Sequence, residues 1–138
     1  MPHDRQPPDQ PREWLNRAAS DLAIAEHPVS SVYLEDLCYH AQQCAEKSLK
    51  AVLLHFSGKF PYIHDLAELV NQINLLNIPV PPEIVEAVGL TEFAVEGRYP
   101  GFNEPVTEEA WNLAVSQAQS VLSWARQIIP SPPGKTQG

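Results

Sequence analysis

From Leu34 to Phe56 the apolar residues Leu34, Leu37, Cys38, Ala41, Cys44, Ala45, Leu49, Val52, Leu53 and Phe56 keep an i, i+3, i+4 spacing. At 3.6 residues per turn that is about six turns of one helix. Gly58 follows directly, where a helix C-terminus wants a residue free to turn left-handed. A helix of this length with an apolar face fixes the class of the molecule, because other elements must cover that face.

The rest of the chain supplies covers with the same period. Trp14, Leu15, Ala18, Ala19, Leu22 and Ala25 predict a first helix that stops before Pro28. Leu66, Leu69, Val70, Ile73 and Leu76 predict a third, with Asp65 at its positive end and Pro79 beyond its close. Pro81 and Pro82 open a fourth, faced by Ile84, Ala87, Val88, Thr91 and Val95 and breaking near Gly97. After a loop from Tyr99 to Pro105, Thr107 caps a fifth that carries Trp111, Ala114, Val115, Ala118, Val121, Leu122, Ala125 and Ile128. No strand alternation and no internal repeat stands out, so the reading is all-α: an up-and-down bundle of four main helices plus a shorter one.

The 138 residues, 43% of them hydrophobic, suffice for one domain. It is placed at residues 12–129 between proline-rich tails at 1–11 and 130–138, neither of which is expected to pack. No apolar run approaches the roughly 20 residues of a membrane span, and the first eleven residues lack the apolar stretch of a signal peptide, which sets the expectation of a cytoplasmic protein. Gly134-Lys135-Thr136 has the last letters of a phosphate-binding loop without its first glycine, strand or helix, and is set aside. A net charge of −8 excludes a general nucleic-acid coat, so any RNA contact must be local.

The long helix also carries His40, Gln43, Lys47 and Lys50 at i, i+3, i+7 and i+10, a polar stripe able to hold an anion or simply to be a solvated face near Glu35 and Glu46. Arg98-Tyr99-Pro100 stands where the fourth helix stops, placing a guanidinium either to grip a phosphate or to satisfy helix carbonyls. Cys38 and Cys44, six apart on one helix, are unsuited to a disulfide or a shared metal, and Cys44 falls on the apolar face, where a thiol is inert. No His or Cys spacing fits a zinc site, and neither metal nor cofactor is expected.

The run Tyr39-His40-Ala41-Gln42-Gln43-Cys44-Ala45-Glu46-Lys47-Ser48-Leu49-Lys50-Ala51 resembles the long-helix signature of HEPN domains, and His64-Asp65-Leu66 and Arg98-Tyr99-Pro100 stand in the family's order. The resemblance covers roughly residues 12–129. It implies a homodimer with a cleft lined by both protomers, and a partner that is a minimal nucleotidyltransferase in a toxin–antitoxin-like module. It also implies metal-independent ribonuclease chemistry, in which an Arg stabilises charge on the phosphate and a His four to six residues on moves the proton.

Here the chain departs from the family. After Arg98, four intervening residues lead to Asn103, followed by Glu104 and Pro105, so no His stands in the window. Asn does not titrate near neutral pH. The tyrosine that some partner transferases modify would fall on Pro105 and is absent.

Three readings follow. The first is a toxin-like HEPN protein that binds nucleotide or RNA phosphate through His40, Gln43, Lys47, Lys50, Arg98 and Tyr99, with a degenerate motif at Arg98 and Asn103. The second is an active ribonuclease whose imidazole is displaced to His64 or His40. The third is a non-catalytic helical adaptor.

Overall fold

Local chemistry sets the helix ends in the computed structural model, which describes residues 5–94 and 105–130. Among these residues the α-helices are α1 (Pro11–Ala25), α2 (Leu34–Ser57), α3 (Leu66–Leu75), α4 (Pro82–Glu86) and α5 (Glu108–Ile128), with a 3-10 segment, Ala87–Phe93, continuing α4. Gly58 closes α2 at φ 80°, and its N–H donates to Leu54 O at 2.9 Å. The Asp65 carboxylate caps α3 by accepting from Ala67 N at 3.0 Å, and Thr107 Oγ1 caps α5 by accepting from Ala110 N at 3.0 Å.

The long helix is the axis of the bundle. α1 and α5 lie along it, and α3 and the 3-10 segment close the remaining side. From Leu37 to Leu53 every residue of α2 is buried except Tyr39, His40 and Lys47, which are half-buried. Cys38 and Cys44 therefore both point into protein despite their different faces, and both are free thiols. Burial pushes the Cys44 thiol up to about 12, which keeps it protonated and unreactive.

Two expectations are corrected. The fourth helix is α-helical only through Glu86 and then tightens to 3-10 geometry. The reason lies in its buried residues: Ile84, Ala87, Leu90 and Phe93 recur every three positions, the repeat of a 3-10 helix, whereas Val88 and Thr91 are only half-buried. Val95 and Gly97 lie outside the described residues.

The second concerns the N-terminal tail, which is tied to α1 through Gln6 and Pro8. Glu13, 3% exposed, accepts from the Gln6 backbone N at 2.9 Å, and the Trp14 indole donates to Pro8 O at 2.8 Å. A buried carboxylate needs a partner and a half-buried indole N–H gains one, and this segment provides both. No helix among the described residues is long and apolar enough to cross a membrane.

Candidate functional site

The polar residues of α2 occupy one sector of an otherwise apolar helix, and because the helix is central they must be paired inside the protein. Two carboxylates do the pairing. Asp21 of α1 accepts from His40 Nδ1 at 2.8 Å through one oxygen and from Lys47 Nζ at 2.6 Å through the other. Glu46 of α2 accepts from Lys50 Nζ at 2.8 Å through Oε2, while its Oε1 takes Gln42 Nε2 and His64 Nδ1, each at 2.9 Å. Gln43 extends this second cluster by donating to Gln42 Oε1 at 2.7 Å. The Lys50 ammonium also lies 5.4 Å from the centroid of the Phe60 ring, which packs edge-on against Trp14.

The clusters differ in depth. Glu46 and Lys50 form a buried ion pair, with side chains 5% and 6% exposed, and Gln42 is fully enclosed. His64 rests on this pair with 65% of its side chain exposed, whereas His40 is 31% exposed and shares its carboxylate with Lys47.

Burial pushes the Glu46 carboxyl up, but the hydrogen bonds from Lys50, Gln42 and His64, with the charge of Lys50, more than offset this and hold it below the ordinary 4.5. A carboxylate can only accept, so the imidazole nitrogen facing it carries the hydrogen. Each histidine is thereby fixed with Nδ1–H inward and a bare Nε2 when neutral. Nε2 of His64 has no hydrogen-bond partner among the described residues.

Acid should expose this arrangement. Glu46 is depressed in the folded state, so the stability tied to its ionisation is complete above 4.5 and is lost as pH falls through the lower folded value. Urea midpoints measured below pH 5 should therefore drop more steeply for the wild type than for Glu46→Gln, which has no carboxylate to protonate. Parallel curves would refute the coupling.

The stripe expected on α2 exists, but it is half-buried to buried and its members are paired. His40 and Lys47 are tied to Asp21, Lys50 to Glu46, and Gln43 to Gln42. His64 joins this sector through Glu46. Arg98, Tyr99 and Asn103 lie outside the described residues. Sequence reasoning missed Asp21 and Glu46 as organisers. Glu46 stands four residues before Lys50, a spacing that favours a pair, but Asp21 acts across helices and leaves no such trace. Among the described residues no three His, Cys, Asp or Glu side chains gather as metal ligands would.

A family model described as HEPN domain matches residues 11–128. The chain is 31% identical over 111 residues to the Methanocaldococcus jannaschii protein named "Putative toxin MJ1304", covering 72% of this chain and 67% of that one. Two solved structures are also similar. ST0689, an archaeal HEPN homologue, matches with a TM-score of 0.67 at 27% identity, covering 88% of this chain and 98% of the other. TT1696 from Thermus thermophilus matches with a TM-score of 0.70 at 26% identity, covering 86% and 98%.

Proposed function

This chain belongs to the HEPN domain family, and from that premise we propose that it is the toxin-like component of a two-protein module whose partner is a minimal nucleotidyltransferase. In this reading it works as a cytoplasmic homodimer and binds nucleotide or RNA phosphate, with Arg98 as the main grip and Tyr99, His40, Gln43, Lys47 and Lys50 around it. The likeness to a relative named as a toxin supports the first part.

The observation that carries the binding site is the interlocked sector of α2. Burying Glu46 and Lys50 costs both groups their hydration, and such pairs return little net stability compared with apolar residues of the same volume. A buried pair of this kind holding an exposed histidine therefore favours a site over packing. Lys47 and Lys50 each already face a carboxylate, which leaves the principal phosphate contact to Arg98. His64 is two residues before Leu66, whose N–H donates to Thr91 Oγ1 at 3.1 Å, and Arg98 follows Thr91 by seven residues.

The test is binding of a mixed RNA pool and of free nucleotides by the purified protein in EDTA, followed at two salt concentrations. Arg98→Ala should weaken binding about 10- to 100-fold, the loss of a charge-assisted hydrogen-bonded contact, and Lys47→Ala should weaken it less. If the wild type binds neither ligand, or both variants bind as the wild type does, the adaptor reading replaces this one.

A further inference from the structure

The end of the bundle where α1 turns into α2 carries a surface that neither the core nor the polar clusters use. We infer that this end docks a second protein, one whose own surface offers an apolar socket ringed by lysine and arginine. The inference rests on the two-protein reading above only for the existence of a partner, and it adds the surface and the chemistry that partner must present.

Two independent observations carry it, and the first is apolar. Ile24, Val29, Val32 and Tyr33 are all exposed across one turn of chain, Val29 by 53% and Tyr33 by 77%. The turn itself is closed, since Val32 N–H donates to Val29 O at 2.9 Å. Single apolar side chains on a surface need no explanation, but a group of them on one turn does. Tyr33 sharpens the point. It stands at the N-cap of α2 and makes no side-chain cap, where Ser, Thr, Asp or Asn would satisfy one of the open N–H groups. The position forgoes that capping bond and shows an aromatic ring to solvent instead, and aromatic rings are frequent anchors of protein interfaces.

The second observation is the distribution of charge. The Trp111 indole donates to Ala25 O at 2.8 Å and Val106 N–H donates to Glu35 Oε2 at 2.6 Å, so the start of α5 lies at this same end. Glu26, Glu35, Asp36, Glu108 and Glu109 are thereby gathered around the apolar turn. Among the described residues no Lys or Arg accompanies them. Those cations lie toward the opposite end, within residues 5–17 before and along the first half of α1, within 47–59 along and after the second half of α2, and at Arg126 in the last turn of α5.

These two features select the occupant. An anionic membrane or a nucleic acid would be repelled by the carboxylates. A second copy approaching about a two-fold axis would set the same acids against themselves. A basic protein surface gains on both counts, because the carboxylates steer its approach while Tyr33 and its apolar neighbours supply the buried contact.

The test uses the full chain labelled with nitrogen-15 and two synthetic amphipathic helical peptides of identical leucine pattern, one with lysine and one with glutamate at every polar position. The lysine peptide should shift the amides of residues 24–36 and 107–111 saturably, and the glutamate peptide should leave them in place. Tyr33→Ser should weaken the lysine peptide by about tenfold or more, as loss of an interface anchor does. Its urea midpoint should stay at or above that of the wild type, because serine can cap α2. Added salt should weaken the wild-type complex without abolishing it, since screening reaches the carboxylates and not the apolar contact.

Equal binding of both peptides, shifts centred on the lysine- and arginine-bearing end, or wild-type affinity in Tyr33→Ser would each overturn the inference. So would the absence of saturable binding by the lysine peptide. Self-association of the chain that is lost in Tyr33→Ser would also overturn it, by making the occupant a second copy. Should Tyr33→Ser prove unstable, Val29→Ser, which lies outside both helices, must show the same loss of affinity. The peptides require neither a transferase nor RNA, and RNA binding should be the same in Tyr33→Ser as in the wild type, so failure of the earlier reading and failure of this one are read separately.

Discussion

Lys50→Met is expected to cost about 3–5 kcal/mol of folding stability, the loss that follows when one partner of a buried ion pair is removed and the other stays charged. Glu46 would keep only Gln42 and His64, in surroundings where its side chain is 5% exposed. Against a total of about 5–15 kcal/mol for a domain of this kind, a loss of that size is a large share of the margin. The double variant Glu46→Met/Lys50→Met should recover most of it. Two apolar side chains of similar reach replace the charges, Gln42 keeps its 3.5 Å approach to His64 O, and the exposed His64 ring can turn to water. Urea unfolding of the wild type, the single variant and the double variant closes a thermodynamic cycle. A single variant within about 1 kcal/mol of the wild type would mean that Glu46 and Lys50 are hydrated in solution, and the case for a built site would lose its foundation. Recovery of stability without recovery of RNA binding would separate the pair's contribution to function from its contribution to the fold.

The sequence displayed the parts of this molecule that are periodic or local. The span of α2, its stop at Gly58 and the cap at Thr107 all follow from spacing and end chemistry, and all appear in the structure. The 3-10 segment was legible too, as the three-residue repeat Ile84, Ala87, Leu90, Phe93, but Val88 and Thr91 also fit an α-helical face and drew the reading that way. What spacing does not display is which face of α1 meets which face of α2. Asp21 is 19 residues from His40 and 26 from Lys47 in sequence, and only the packing of the two helices brings it between them. The same holds for His64, which joins Glu46 across 18 residues. The polar stripe could therefore be found from the sequence while its charge balance could not, and that balance turns an apparently basic face into a paired one.

Leu49→Ala tests the architecture on which both clusters depend. Leu49 is 1% exposed on the central helix, one residue before Lys50 and three after Glu46, and belongs to the buried cluster that joins all five helices. Truncation leaves a cavity that neighbouring elements can only partly fill, at a cost of about 2–5 kcal/mol. For a chain of this length the midpoint of thermal unfolding should fall on the order of 10 °C. Leu75→Ala, at a site 73% exposed on α3, should stay within about 0.5 kcal/mol of the wild type. The contrast matters more than either value, since it distinguishes a buried axis from an amphipathic helix lying on a surface. A loss below about 1 kcal/mol at Leu49 would mean that α2 is not enclosed. Glu46 and Lys50, carried on the same turns, would then face water, their pairing would contribute little, and His64 would rest on a mobile carboxylate instead of a fixed one.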